Sequence, residues 1–361
     1  MAAVKLVRAA WVTVALGACS KPFAAPSPLG SATNNAHAGP AVAADAAPTE
    51  ADATAARAEV PVDRGGVSPL EGDEAEVVLF ADAPDAKAAR AVRCPRDLPA
   101  ERRVNCLIEL RFTKDAAAAK VALELYGRYG ILAGVDVDHV MNGGYRGMLH
   151  LVPAPPIGVS ARHIAWVLAA AKDFDGFFAA LAARGARDVR YRWHPFALRY
   201  MRSVGARTPS AYAQGWEVAY NLDGSLHVSG DAVRETMFHE IFHLNDAAQD
   251  DWSVAALGPI FDSIVRKCGT ALPCLTPFTP NATVVRGGTY YSFQPGNGVR
   301  EYAAELAIRY YREQRALVSG RLGMAPFKCG PPSNARAWEL IVNAFFGGFD
   351  LVPPCDATRA K

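Results

Sequence analysis

Apolar positions change their rhythm along the chain. Before residue 230 they come mostly in short blocks. Ala75 to Phe80 (AEVVLF) and Val104 to Phe112 (VNCLIELRF) read as strands. Asp115 can cap a helix from Ala116 to about Tyr129, with Val121, Leu123, Leu125 and Tyr126 as its apolar surface. Ile131 to Val140 and Met148 to Val152 read as strands around the turn Asn142-Gly143-Gly144. Ser160 to about Arg184 predicts a helix carrying Phe174, Phe177, Phe178 and Leu181, and Val189 to Met201 an extended segment. Glu217 to Tyr220 and Ser225 to Val228 flank Asn221-Leu222-Asp223-Gly224, a hairpin signal.

Beyond residue 230 the spacing turns helical, over 231–247, 253–267, 298–318 and 334–345. The expected class is α+β: a mixed-sheet, strand-bearing lobe over about 73–248 and a mainly helical lobe over about 249–361. The two lobes are read as one unit, residues 73–361.

The N-terminus stands apart. Lys5 and Arg8 precede a short apolar run, Ala9 to Ala18, too short for a spanning helix. Leu16-Gly17-Ala18-Cys19 resembles a bacterial lipobox. The expectation is a signal peptide over residues 1–18 and an exported lipoprotein acylated on Cys19. Ser20 favours the outer membrane or cell surface of a Gram-negative envelope. Residues 19–72, rich in Ala and Pro, read as a disordered tether.

Composition narrows the remaining classes. Hydrophobic residues make up 51% and charged residues 20%, enough apolar material for a sizeable core. A formal net charge of +2 provides no basic field for nucleic acid. Membrane contact is expected through the N-terminal lipid only. Of seven cysteines, assigning Cys19 to lipid leaves Cys94, Cys106, Cys268, Cys274, Cys329 and Cys355. In an exported protein these read as disulfides, and proximity along the chain pairs them in that order. Thiolate metal ligation is the alternative, but no CxxC spacing favours it.

Candidate chemistry lies on the helix after the hairpin signal, which reads His239-Glu240-Ile241-Phe242-His243. In this HExxH motif the imidazoles at i and i+4 share one helix face and can bind one Zn²⁺, with Glu240 beside them to act on water. Asp231 is the expected N-cap, and Val233, Met237, Ile241 and Leu244 form an apolar stripe. Catalytic zinc takes a third protein ligand. The metzincin pattern is excluded, because Asp246 and Gln249 stand where Gly and His are needed. Glu301, in Arg300-Glu301-Tyr302-Ala303-Ala304-Glu305, is the candidate ligand. Glu305, one turn on, is the alternative.

HEIFHLND together with EYAAE resembles the gluzincin branch of the zincin metallopeptidases, in the pattern of the anthrax lethal factor catalytic domain and related bacterial peptidases. The resemblance covers about residues 231–305. It implies a zincin-like fold and a single zinc held by His239, His243 and Glu301. It further implies Glu240 as general base, and Asp246 and Glu305 as carboxylates that orient the ligands. A tyrosine before the ligand helix assists catalysis in that pattern. Here Tyr290 and Tyr291 lie farther upstream than usual, and Tyr291 is the candidate. His227 is a fallback electrophilic group, otherwise an ordinary strand residue.

The implied activity is zinc-dependent hydrolysis of peptide bonds in peptides or proteins at the envelope or cell surface. The rival from the binding class is a catalytically inactive zincin-like lipoprotein. His139, His150, His163 and His194 show no ligand spacing and read as structural. Asn281-Ala282-Thr283 matches a glycosylation sequon.

Overall fold

The computed structural model describes residues 68–142, 147–205, 209–285, 287–321 and 325–355. The expected signal peptide, Cys19, residues 19–67 of the expected tether and the Gly143-Gly144 turn lie outside them. The architecture is mixed α+β. No helix among the described residues is long and apolar enough to cross a membrane.

Four helices come first: α1 (Gly72–Leu79), α2 (Lys87–Arg93), α3 (Ala100–Arg111) and α4 (Ala116–Tyr129). Two of them replace expected strands. In α1 the buried apolar residues are Ala75, Val78 and Leu79, and in α3 they are Val104, Leu107 and Ile108. Both sets follow i, i+3, i+4 rather than alternation, so one helical stripe faces the core. Buried charges lock the pair together. Glu76 of α1 accepts from Arg90 at 2.8 Å and from Arg103 of α3 at 2.7 Å. The α4 helix matches its expected span, and Asp115 caps it by accepting from the Ala118 N–H.

The sheet comprises β1 (Leu132–Val135), β2 (His139–Asn142), β3 (Met148–Pro153), β4 (Ala197–Val204), β5 (Ala211–Gln214) and β6 (Glu217–Asn221). Its order is β2-β3-β4-β6-β5. β1 lies parallel to the first half of β4, while β3 runs antiparallel to the second half on the same edge. Leu198, Tyr200, Val218 and Tyr220 join the main core. Their neighbours Met201 and Ala219 join Leu149 and Leu151 in a small second cluster on the other face. Gly134 lets α1 approach β1, since a Cβ there would stand 2.0 Å from the Val78 carbonyl oxygen.

The expected hairpin at Asn221–Gly224 is corrected. β6 instead pairs antiparallel with β5, across Gly215 and Trp216, both at positive φ. Residues 222–229 fold as successive turns: Gly224 N–H donates to the Asn221 carbonyl and His227 N–H to that of Gly224. Glycine is needed at 224, where a Cβ would meet the His227 ring and the Ser210 backbone at 2.7 Å each. His227 is therefore a turn residue, not a strand residue. Of the extended segment expected over Val189–Met201, only the part from Ala197 lies in a named strand.

The remaining long helices match the helical rhythm, and one short helix, Leu272–Leu275, was not expected. They are α5 (Ala161–Ala183), α6 (Gly230–Ala247), α7 (Trp252–Cys268), α8 (Leu272–Leu275), α9 (Val299–Val318) and α10 (Pro332–Phe345). Val233, Met237, Ile241 and Leu244 of α6 are all buried. The α6 cap is Ser229, whose hydroxyl accepts from the Ala232 N–H at 3.2 Å, not Asp231. Asp231 lies in the first turn and pairs with Arg234 at 2.7 Å. Disulfides join Cys94 to Cys106, Cys268 to Cys274 and Cys329 to Cys355, the pairs expected from chain proximity.

Candidate metal centre

α6 carries the HExxH segment through the middle of the fold, between α5 and α9. Side chains fix it at both ends of the motif. The Tyr191 hydroxyl donates to the Phe238 carbonyl at 2.7 Å, and the two rings stack with centroids 4.6 Å apart. Asn245 accepts from the Arg192 N–H and donates to the Arg192 carbonyl, each at 2.8 Å. Such anchoring holds the motif's side chains in one register, as a preorganised site requires.

α9 crosses beside it and presents Glu301 and Glu305, one turn apart, to the two histidines. His239 Nε2 lies 3.0 Å from Glu301 Oε2 and 3.1 Å from His243 Nε2. His243 Nε2 lies 3.7 Å from Glu301 Oε1. His239, His243 and Glu301 could hold a metal ion, their ligand atoms lying within 4.8 Å of one another.

The donor set fits a small divalent cation. Ligands at about 2.0–2.1 Å in a tetrahedral shell stand about 3.3 Å from one another, which the 3.0, 3.1 and 3.7 Å separations bracket. Two imidazole nitrogens facing at 3.1 Å cannot both carry protons, so this convergence suits a shared cation. His243 and Glu301 are only partly buried.

Further groups complete the surroundings. Glu305 Oε1 lies 3.4 Å from His239 Nδ1, the ring nitrogen turned away from the cluster. Its other oxygen accepts from Asn281 Nδ2 at 2.8 Å. The Tyr291 hydroxyl donates to Glu301 Oε2 at 2.8 Å, whereas the Tyr290 hydroxyl pairs with Thr276. Glu240 is buried beside His239. Asp246 is also buried, but its hydrogen bonds run to the Ser253 N–H and hydroxyl at the start of α7. It therefore senses His243 through charge rather than through a hydrogen bond.

Electrostatics follow from these contacts. Burial works against a charged His239, yet the Glu301 and Glu305 carboxylates outweigh it and hold the ring well above the usual imidazole range. Burial likewise opposes ionised Glu301, and the two histidines overcome that, keeping it well below the usual carboxylate range. Burial and the Glu301 charge push Tyr291 well above the ordinary phenol value, so it stays a proton donor. Burial raises the Asp246 carboxyl, with Ser253 working in the opposite direction.

The structure does not bring His227 to this cluster. It stacks on Tyr220 with centroids 3.9 Å apart, and its Nδ1 meets the Asn221 carbonyl at 2.7 Å. His163 meets the Tyr220 hydroxyl, His139 the Val137 carbonyl and His150 the Asp138 carboxylate. Asn281 also lies beside the cluster, and in the sequence it carries no signal except its sequon. No family model, no curated protein and no solved structure matches this chain.

Proposed function

We propose that the protein is a zinc-dependent metallopeptidase of zincin-like fold, hydrolysing peptide bonds in peptides or proteins. One observation carries this reading. Two imidazoles and a carboxylate converge on one point, with the motif's glutamate buried beside them and a phenol donating to the ligand carboxylate. The donor set of two nitrogens and one oxygen suits zinc, and three protein ligands leave a position for reactants.

His239, His243 and Glu301 would hold the ion. When bound, zinc supplies Lewis acidity, polarising a carbonyl and acidifying water. Glu240 takes a proton from the attacking water and delivers it to the departing amine. Tyr291, kept protonated by burial and by Glu301, would turn its one O–H from the Glu301 carboxylate to the oxyanion as charge develops. Glu305 accepts at His239 Nδ1, fixing the tautomer that leaves Nε2 free as a ligand. The protein acts at the cell envelope as an exported lipoprotein.

The test pairs zinc content with cleavage of a mixed peptide library, for wild type and Glu240→Gln. Zinc retained in both with cleavage only in wild type supports the reading. Zinc without cleavage in wild type supports the inactive binding lipoprotein instead. Cleavage retained in Glu240→Gln overturns the assigned base.

A further inference from the structure

Asn281 precedes α9 in sequence and is 5% exposed. Its side-chain amide makes three hydrogen bonds, to Glu305 and Arg312. Nδ2 donates to the Glu305 backbone carbonyl and to Glu305 Oε2, each at 2.8 Å. Oδ1 accepts from Arg312 at 2.6 Å, and the Asn281 carbonyl accepts from the Thr279 hydroxyl, also at 2.6 Å. The amide orientation is chemically forced, because both Glu305 groups can only accept and a guanidinium can only donate. Arg312 in turn grips Glu235 with both arms of its fork, one at 2.8 Å. Glu235 sits on α6 one turn before His239, so the circuit starts and ends on the helix that carries the motif. It runs Glu235, Arg312, Asn281, Glu305, His239.

We infer that Asn281, braced by Arg312 and Glu235, is a positioning residue that sets metal affinity through the Glu305 carboxylate. This rests on the zinc reading above. Glu305 must hold one oxygen at His239 Nδ1 while its charge is buried. With its other oxygen unpaired, the carboxylate would be free to rotate or to bind Arg312 directly. The Asn281 amide prevents both, satisfying that oxygen and standing between the guanidinium and the carboxylate. Asparagine suits the post because it donates on one side and accepts on the other. The same burial keeps the sequon's side chain out of reach of any glycosyl transfer.

The experiment measures zinc affinity of the full chain by competition with a chromophoric chelator. Wild type, Asn281→Ala, Glu305→Gln and the double variant are compared, with Co²⁺ absorption as a report on ligand geometry. Each single substitution should weaken zinc by roughly 10–100-fold, the range for groups that orient metal ligands. The double variant should be no weaker than the weaker single, because Asn281 acts through Glu305. Multiplying losses, or unchanged affinity and Co²⁺ spectrum in Asn281→Ala, overturn the inference and leave the zinc site standing. Absence of zinc from wild type overturns both. If Asn281→Ala does not fold, Asn281→Asp carries the test, since it keeps the shape and the Arg312 acceptor while replacing the donor. Wild-type affinity in that variant overturns the inference.

Discussion

The fold holds two close histidine pairs, and they are chemical opposites. At the α6–α9 crossing His239 and His243 face each other with three glutamates close by, Glu240, Glu301 and Glu305. At the end of β6, His163 and His227 flank Tyr220, with ring centroids 6.4 Å apart, and their ring nitrogens meet the Tyr220 hydroxyl and the Asn221 carbonyl rather than a carboxylate. Burial penalises charge in both places. It wins at the second pair, pushing His163 and His227 down to about 4 each. It loses at the first, where the carboxylates hold His239 well above its ordinary value. Burial alone therefore makes a neutral packing histidine, and burial with carboxylates makes a cation site.

The sharpest way to break this contrast is to remove the acid–base group and leave the ligands. Glu240→Gln should lower peptide-cleavage kcat by roughly 10²–10⁴-fold, the usual worth of a general base, with zinc content unchanged. Steady-state kinetics beside metal analysis check it. Tyr291→Phe comes next. Losing an oxyanion donor costs about 10²–10³ in kcat, and zinc should remain, because its hydroxyl touches Glu301 without belonging to the ligand set. A fall in zinc content instead of kcat would assign Tyr291 to holding the carboxylate.

The acid limb separates the two pairs. His163 and His227 titrate lower in the folded than in the unfolded protein, so between about pH 4 and 6.5 the unfolded chain binds more protons. Their contribution is fully present above pH 6.5 and is lost as pH falls towards 4. His227→Phe should flatten the fall in thermal midpoint over that window. At neutral pH it should cost only about 1 kcal/mol, since the Asn221 carbonyl loses one of its two partners and keeps the Gly224 N–H. An unchanged pH profile of the midpoint would remove His227 from the account. Zinc binding should weaken on acidification for another reason and from a higher pH, because protons compete for the ligand imidazoles and His239 is held well above its ordinary value.

How much of this was legible in the chain follows from what each residue depends on. The α6 and α9 helices were readable because long apolar stripes and i, i+4 pairs are local facts. His239, His243, Glu301 and Glu305 announce one face each, and folding needs only to cross the two helices. The α1 and α3 segments read as strands because short runs of Val, Leu, Ile and Phe fit either period; their helical stripes pack together across the buried Glu76–Arg103 pair, a contact between distant segments. The β5–β6 turn was hidden because Trp216 occupies a positive-φ position where Asn or Gly would have signalled it. Asn281 had no local signature, since its side-chain partners Glu305 and Arg312 lie on α9, well along the chain.

The central claim is that the carboxylate-rich pair at the α6–α9 crossing is a zinc site and the pair beside Tyr220 is not. Metal analysis of purified wild type, His239→Ala and His227→Ala tests it most directly. The account predicts one zinc ion per chain in wild type and in His227→Ala, and none in His239→Ala. Zinc absent from wild type, or retained in His239→Ala, would contradict it.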